Sequence, residues 1–311
     1  MTKVAFLFPG QGSQRTGMGK ELGAAFPALG DGYFAHADEI LGYPLARLCH
    51  EGPDEELVKT ENQQPAIFLV SAAIDAVLRE RGLEPEAVAG HSLGEYTALV
   101  AAGAIDFADG LRLTRKRGEL MAAIAARTGG MMAAVLGLAP EDVEAACSDP
   151  SIEGVAEVAN YNSPLQSVIS GETPAVQRAM ELCRERGARR VVPLNVSAPF
   201  HCSLMAPLAA DFAPFLEHVA IAEPGILVVA NVTAGYERTA GEVRANLITQ
   251  LDSPVRWTDS VRRLVADGFD TFVEVGPGKV LTGLMRQIAP EVTALNTDDP
   301  AGIEKVLAVL A

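Results

Sequence analysis

Positive charge is what this sequence is short of: 25 Lys and Arg stand against 40 Asp and Glu, a formal net charge of -15. Binding a phosphate backbone or an anionic lipid surface requires clustered cations, so neither nucleic acid nor membrane is an expected partner. Cysteine is sparse and scattered. Cys49, Cys147, Cys183 and Cys202 form no CxxC pair, which argues against a zinc site or a disulfide framework and fits reduced thiols in the cytoplasm. Long apolar runs are missing as well. The N-terminal run Val4–Phe8 has five residues, too few for a signal-peptide core or a bilayer span, and no later segment supplies one. There is no internal repeat and no low-complexity linker. What is left is a 311-residue chain with 49% hydrophobic and 21% charged residues, ordinary globular usage with length for one large or two modest domains.

The apolar run Val4–Phe8, closed by Pro9-Gly10, reads as a strand buried on both faces of a parallel sheet. A helix is expected with Pro65 in its first turn, with Ile67, Val70, Ile74, Val77 and Leu78 on one face, and with Gly82 as its stop. A strand over 87–90 and a small-residue helix over 95–102 follow, and strand, sharp turn and helix in that order imply an α/β sheet. Asp106 caps a further helix running to about residue 126. The pattern then changes. Strand 131–138, helix 141–147, strands near 156–160 and 167–170, a helix opened by Thr173-Pro174 and stopped by Gly187, and strand 190–196 make the βαββαβ order of a ferredoxin-like unit. Strand 226–230, helices 243–251 and 258–267 and strand 271–275 return to the larger sheet. The expected organisation is a catalytic α/β subdomain over 1–127 and 198–311 with a small subdomain over 128–197 inserted in it.

Gly90-His91-Ser92-Leu93-Gly94 is a GxSxG element where a strand ends and a helix begins. A sharp turn there exposes the serine hydroxyl, and the helix aims N–H groups and its positive end at a developing oxyanion. Ser92 is the expected nucleophile. Its base must be one of His36, His50, His91, His201 and His218, and sequence separation alone does not choose. His91 adjoins Ser92 at a turn where neighbouring side chains diverge; His36 and His218 fall in amphipathic helices. His201 lies in a loop just past a strand and is favoured. Arg117 shares a helical face with Gly110, Leu113, Met121 and Ile124. A guanidinium on an apolar face needs an anion, either a structural carboxylate or an acidic substrate group. The glycines after Gly10 lack the GxGxxG spacing of a dinucleotide site.

Taken together, Phe8 to Gln14, Gly90 to Tyr96, Arg117, Phe200-His201, Gln250 and Glu274 to Gly278 resemble bacterial malonyl-CoA:acyl carrier protein transacylases of type II fatty acid synthesis, essentially end to end. The resemblance implies a hydrolase-like parallel-sheet core carrying a ferredoxin-like subdomain. It implies Ser92 as nucleophile, His201 as base, the carbonyl of Gln250 orienting His201, and the backbone N–H groups of Gln11 and Leu93 as oxyanion hole. Arg117 is implied to hold the malonyl carboxylate. Phe200 resembles the residue found before the histidine in malonyl-selective polyketide domains, which makes it a substrate-binding residue. Malonyl-CoA and an acyl carrier protein are the implied partners, with no cofactor and no metal. Because carrier proteins are acidic, docking on this acidic chain would need a local basic patch; Arg184, Arg186, Arg189 and Arg190, with Lys116, are the candidates.

Overall fold

The computed structural model describes residues 2–196 and 198–310; the expected boundary at 197 and residues 1 and 311 lie outside them. Its strands are β1 (Val4–Phe8), β2 (Ala87–Gly90), β3 (Met131–Leu136), β4 (Ala156–Ser163), β5 (Gln166–Gly171), β6 (Arg190–Pro193), β7 (Leu227–Val229), β8 (Tyr236–Glu237), β9 (Thr271–Glu274) and β10 (Thr293–Asn296). They form two sheets. The larger has the order β10-β9-β1-β2-β7-β8, parallel except for the β7–β8 pair. Strands β1, β2 and β9 are wholly buried, as continuous apolar strands sandwiched by helices must be.

The second sheet has the antiparallel order β4-β5-β3-β6, the pairing of a ferredoxin-like βαββαβ unit. Helices Pro140–Cys147 and Thr173–Glu185 cover one face with Val143, Ala146, Val176, Ala179 and Cys183, against Ala133, Val135, Val158 and Ile169. The alternate positions Met132, Ala159 and Val168 instead join the core of the large sheet. A bridge between Asn160 and Val255 ties the units together: the Tyr161 N–H donates to the Val255 carbonyl and the Val255 N–H to the Ala159 carbonyl, each at 2.9 Å.

Two helix starts differ from the sequence reading. The helix expected to open at Pro65 runs Thr60–Glu80, so the proline sits inside it. Proline cannot donate to the Glu61 carbonyl four residues back. The Arg115 guanidinium donates to that carbonyl instead, at 3.0 Å. The helix expected from 243 begins at Ala240, because Thr239 and Glu242 form a reciprocal capping box. Helix Pro27–Leu41 takes the place of the helix expected around His36, and with Lys20–Ala25, Leu45–Glu51 and Asp54–Leu57, which were not foreseen, it fills the chain between β1 and Thr60.

Candidate active site

Both sheets border a cleft of about 400 Å³ whose lining includes Gln11, His91, Ser92, Met132, Phe200 and His201. It opens at the carboxyl ends of β1 and β2, where Phe8 lies opposite Gly90 in register. Crossings at this edge are very tight. A Cβ on Gly94 would stand 2.0 Å from the Phe8 carbonyl oxygen and one on Gly90 1.9 Å from the Gly94 backbone, so both glycines of the GxSxG element are sterically required.

The turn between them is stapled by one side chain. Asn231, which follows β7, accepts from the Ser92 N–H through Oδ1 and donates through Nδ2 to the Gly90 carbonyl, both at 2.6 Å. Ser92 is held at φ 52° and His201 at φ 59°; with Ala234 they are the only non-glycine residues with positive φ among the described residues. Left-handed backbone at such a residue costs about 1–3 kcal/mol. That two of the three are the expected nucleophile and base points to strain retained for a geometric purpose.

His201 Nε2 lies 2.7 Å from Ser92 Oγ, and its Nδ1 lies 2.9 Å from the main-chain carbonyl of Gln250. A carbonyl only accepts, so Nδ1 carries the proton and Nε2 presents its lone pair to the serine. Burial above all, and then the charge of Arg117, lower the His201 pKa to about 3, so the imidazole is neutral. His91 is engaged elsewhere: its Nε2 meets Asn162 Oδ1 at 2.8 Å and its ring lies against Trp257. His36 sits beside Glu39 and His218 beside the Pro214 carbonyl, both on the surface.

Arg117 projects from helix Phe107–Thr128 and is 1% exposed. Its Nη1 donates to Gln64 Oε1 at 2.8 Å; its Nη2 donates to Gln250 Oε1 and to Ser92 Oγ, each at 3.0 Å. The guanidinium lies over the Tyr96 ring. Among the described residues no carboxylate comes within ion-pair distance of it, so the structural salt bridge left open by the sequence is not there. Phe200, nearly buried, forms part of the cleft wall. Among the described residues the backbone N–H groups of Gln11 and Leu93 have no protein acceptor, and Leu93 immediately precedes the helix Gly94–Ala101, at its positive end. The site therefore offers a serine paired with a neutral imidazole on the cleft wall, two backbone donors without a protein acceptor, and behind the serine a buried cation without an ion-pair partner.

Sequence reasoning missed Gln64, Glu95 and Asn231. Gln64 closes the polar run Glu61–Gln64 just before the apolar part of its helix, and Asn231 stands just past the carboxyl end of a central strand, where α/β sheets bind ligands. Those were the available signals.

The acyl transferase domain family matches residues 5–301. A Haemophilus influenzae protein named malonyl CoA-acyl carrier protein transacylase is 44% identical over 308 residues, covering 98% of each chain. The solved structure of an acyl carrier protein S-malonyltransferase from Vibrio cholerae superposes with a TM-score of 0.95 at 43% identity, covering 98% of this chain and 100% of that one. A malonyl-transacylase solved in complex with a type II polyketide acyl-carrier protein superposes at 0.96 with 42% identity, covering 99% and 100%. On this full-length likeness, the chain belongs to the malonyl CoA-acyl carrier protein transacylase family of acyl transferases.

Proposed function

We propose that the chain transfers the malonyl group from malonyl-CoA to the pantetheine thiol of an acyl carrier protein, in two steps through a malonyl ester of Ser92. The observation that carries this reading is the placement of an uncompensated buried guanidinium within 3.0 Å of the hydroxyl of a paired serine. A simple esterase has no use for such a cation beside its nucleophile.

In the first step His201 Nε2 takes the Ser92 proton as Oγ attacks the thioester carbonyl. The tetrahedral oxygen accepts from the amides of Gln11 and Leu93, which are in place before charge develops. Collapse breaks the carbon–sulfur bond, and His201 returns the proton to the departing coenzyme A sulfur. In the second step the same base deprotonates the pantetheine thiol, which attacks the ester carbonyl; the Ser92 oxygen leaves with the proton. Arg117 holds the malonyl carboxylate with its planar fork through both steps, and Phe200 bounds the acyl pocket. Gln250 orients the base through its main-chain carbonyl. Residues 1–127 and 198–311 supply the chemistry and 128–197 a wall of the cleft. The four cysteines are free and buried, in keeping with a cytoplasmic protein. Likeness both to proteins named malonyl CoA-acyl carrier protein transacylase and to polyketide transacylases supports a carrier protein of fatty acid or polyketide synthesis as the acceptor.

Mixing the protein with malonyl-CoA and weighing it intact tests the reading. A malonyl adduct that Ser92→Ala does not form is the expected result; unmodified wild-type protein refutes the covalent route.

A further inference from the structure

Glu95 occupies the first turn of helix Gly94–Ala101, directly behind the nucleophile, and is wholly buried. Its partners are neutral. One carboxyl oxygen accepts from Gln250 Nε2 and the other from the Asn231 N–H, at 3.3 Å. Among the described residues no Lys or Arg comes within ion-pair distance of it. The nearest cation is Arg117, and the Gln250 side chain stands between them: its Oε1 accepts from Arg117 Nη2 while its Nε2 donates to Glu95 and to the Ser92 carbonyl.

An ionised carboxylate placed directly on Arg117 would neutralise the guanidinium and compete with any acidic substrate. A neutral group in the same place holds the guanidinium but leaves its charge free. We propose that Glu95 is a specificity-determining positioning residue: through the Gln250 side chain it fixes Arg117 without neutralising it, keeping the guanidinium for the carboxylate of acidic acyl groups. The proposal rests on the reading of Arg117 given above. Burial, and then the second buried acid Glu237, push the Glu95 carboxyl well above the usual range, which favours its neutral form. Glu237 is itself pushed up to about 7 by burial and is held by Asn246 Nδ2 at 2.9 Å. Arg117 and the Asn231 and Gln250 hydrogen bonds act in the opposite sense on Glu95 and are outweighed.

The test compares rates of loading from malonyl-CoA and acetyl-CoA in the full chain carrying Glu95→Gln, Gln250→Glu or Arg117→Ala. Glu95→Gln, equal in shape and neutral, should keep the malonyl-over-acetyl ratio within about threefold of the unaltered protein. It should also remove an infrared band of a protonated carboxyl seen in the unaltered protein at neutral pH. Gln250→Glu sets a carboxylate against Arg117 while retaining the main-chain carbonyl that holds His201. It should lower the ratio by more than about tenfold, through KM for malonyl-CoA. A missing infrared band, or a tenfold or greater rise in malonyl preference in Glu95→Gln, overturns the proposal, because Glu95 would then be ionised and offsetting Arg117. These two measurements decide the matter even if Gln250→Glu does not fold. An unchanged ratio in Arg117→Ala instead sinks the carboxylate-binding reading of Arg117 itself, whatever Glu95 does.

Discussion

The two sheets flanking the cleft are built on different plans. In the large sheet, β1, β2 and β9 are buried along their whole length, so their side chains serve packing and the functional groups lie on the loops and helices beyond their carboxyl ends. Ser92, Gln250, Arg117 and Asn231 all come from that framework. The small sheet alternates. Met131, Ala133 and Val135 face its own helices, while Met132 and Asn160 face the cleft. The groups gathered around Ser92 thus come from the more tightly constrained backbone, and the small sheet adds wall residues from one of its two faces. The comparison makes a concrete demand: removing groups on the large-sheet side should abolish reaction or selectivity, and changes in the small unit should affect only recognition.

The largest effect expected is from Ser92→Ala, which should abolish covalent malonylation and cost about a thousandfold or more in turnover; His201→Ala should be comparably damaging, because nucleophile and base act as a unit. His91→Ala should leave turnover far less affected and lower the melting temperature instead, since Asn162 and Trp257 hold its ring. Steady-state transfer assays and thermal melts on the three variants check this. Reversed effects for the two histidines would give the base a different identity and break the contrast at its centre.

Next in size is Arg117→Ala. Only malonyl offers a carboxylate to this cation, so malonyl loading should fall far more than acetyl loading, by a discrimination of up to roughly 10⁴. Competition between the two coenzyme A esters measures it. Equal losses for both would reduce Arg117 to a support for Gln64 and Gln250.

A smaller and more graded effect concerns pH. His201 has its pKa lowered to about 3, against about 6.5 for an ordinary histidine. Loading measured as kcat/KM should therefore persist through pH 5, where an unperturbed imidazole base would be largely protonated and inactive. Stability carries the opposite cost. Below about pH 6.5 the unfolded chain takes up a proton that the fold refuses, so the favourable contribution present above that pH is lost as pH falls through about 3. A loading profile that falls with a midpoint near 6.5 would mean that solvent or a neighbouring anion reaches His201.

Much of this architecture was legible because it is written locally. The GxSxG turn, the apolar run of β1 and the strands and helices that make up the βαββαβ order are each read within a few residues, and Arg117 betrayed itself by a charge on an apolar helical face. What escaped is contact across long stretches of chain. Asn231 meets Ser92 across 139 residues and Gln250 meets Glu95 across 155, so only the closed fold shows that these amides serve one site. The expected base was favoured by its loop position alone, since five histidines carry no label of which one lies beside a serine 109 residues away, the place that His201 takes. Edge strands β8 and β10 were missed for a different reason: two residues in one, and the half-buried Thr293–Asn296 in the other, give no apolar run to read.

The smallest effect belongs to the small unit and concerns carrier-protein docking. With a net charge of -15, the chain as a whole repels an acidic partner, so encounter depends on local cations. Four of the five candidates cluster at the end of helix Thr173–Glu185 and the start of β6, and they are not equivalent. Arg186 faces Asp149 at 3.7 Å, Arg184 donates to the Val191 carbonyl, and Lys116, on the Arg117 helix, is paired with Glu119. Arg189 and Arg190 are exposed, and among the described residues neither has an ion-pair or hydrogen-bond partner for its side chain. From Arg190 the chain runs along β6 into Leu194, Asn195 and Val196 on the cleft wall, which joins this patch to the pocket by one short segment. Reversing both charges, Arg189→Glu with Arg190→Glu, should raise the apparent KM for carrier protein severalfold and weaken its salt dependence, because screened attraction between exposed charges acts mainly on encounter. Malonyl-CoA loading should not change, as no loading group lies in that segment. A carrier-protein KM that stays the same would move docking to the large-sheet rim and leave the small unit with shape alone.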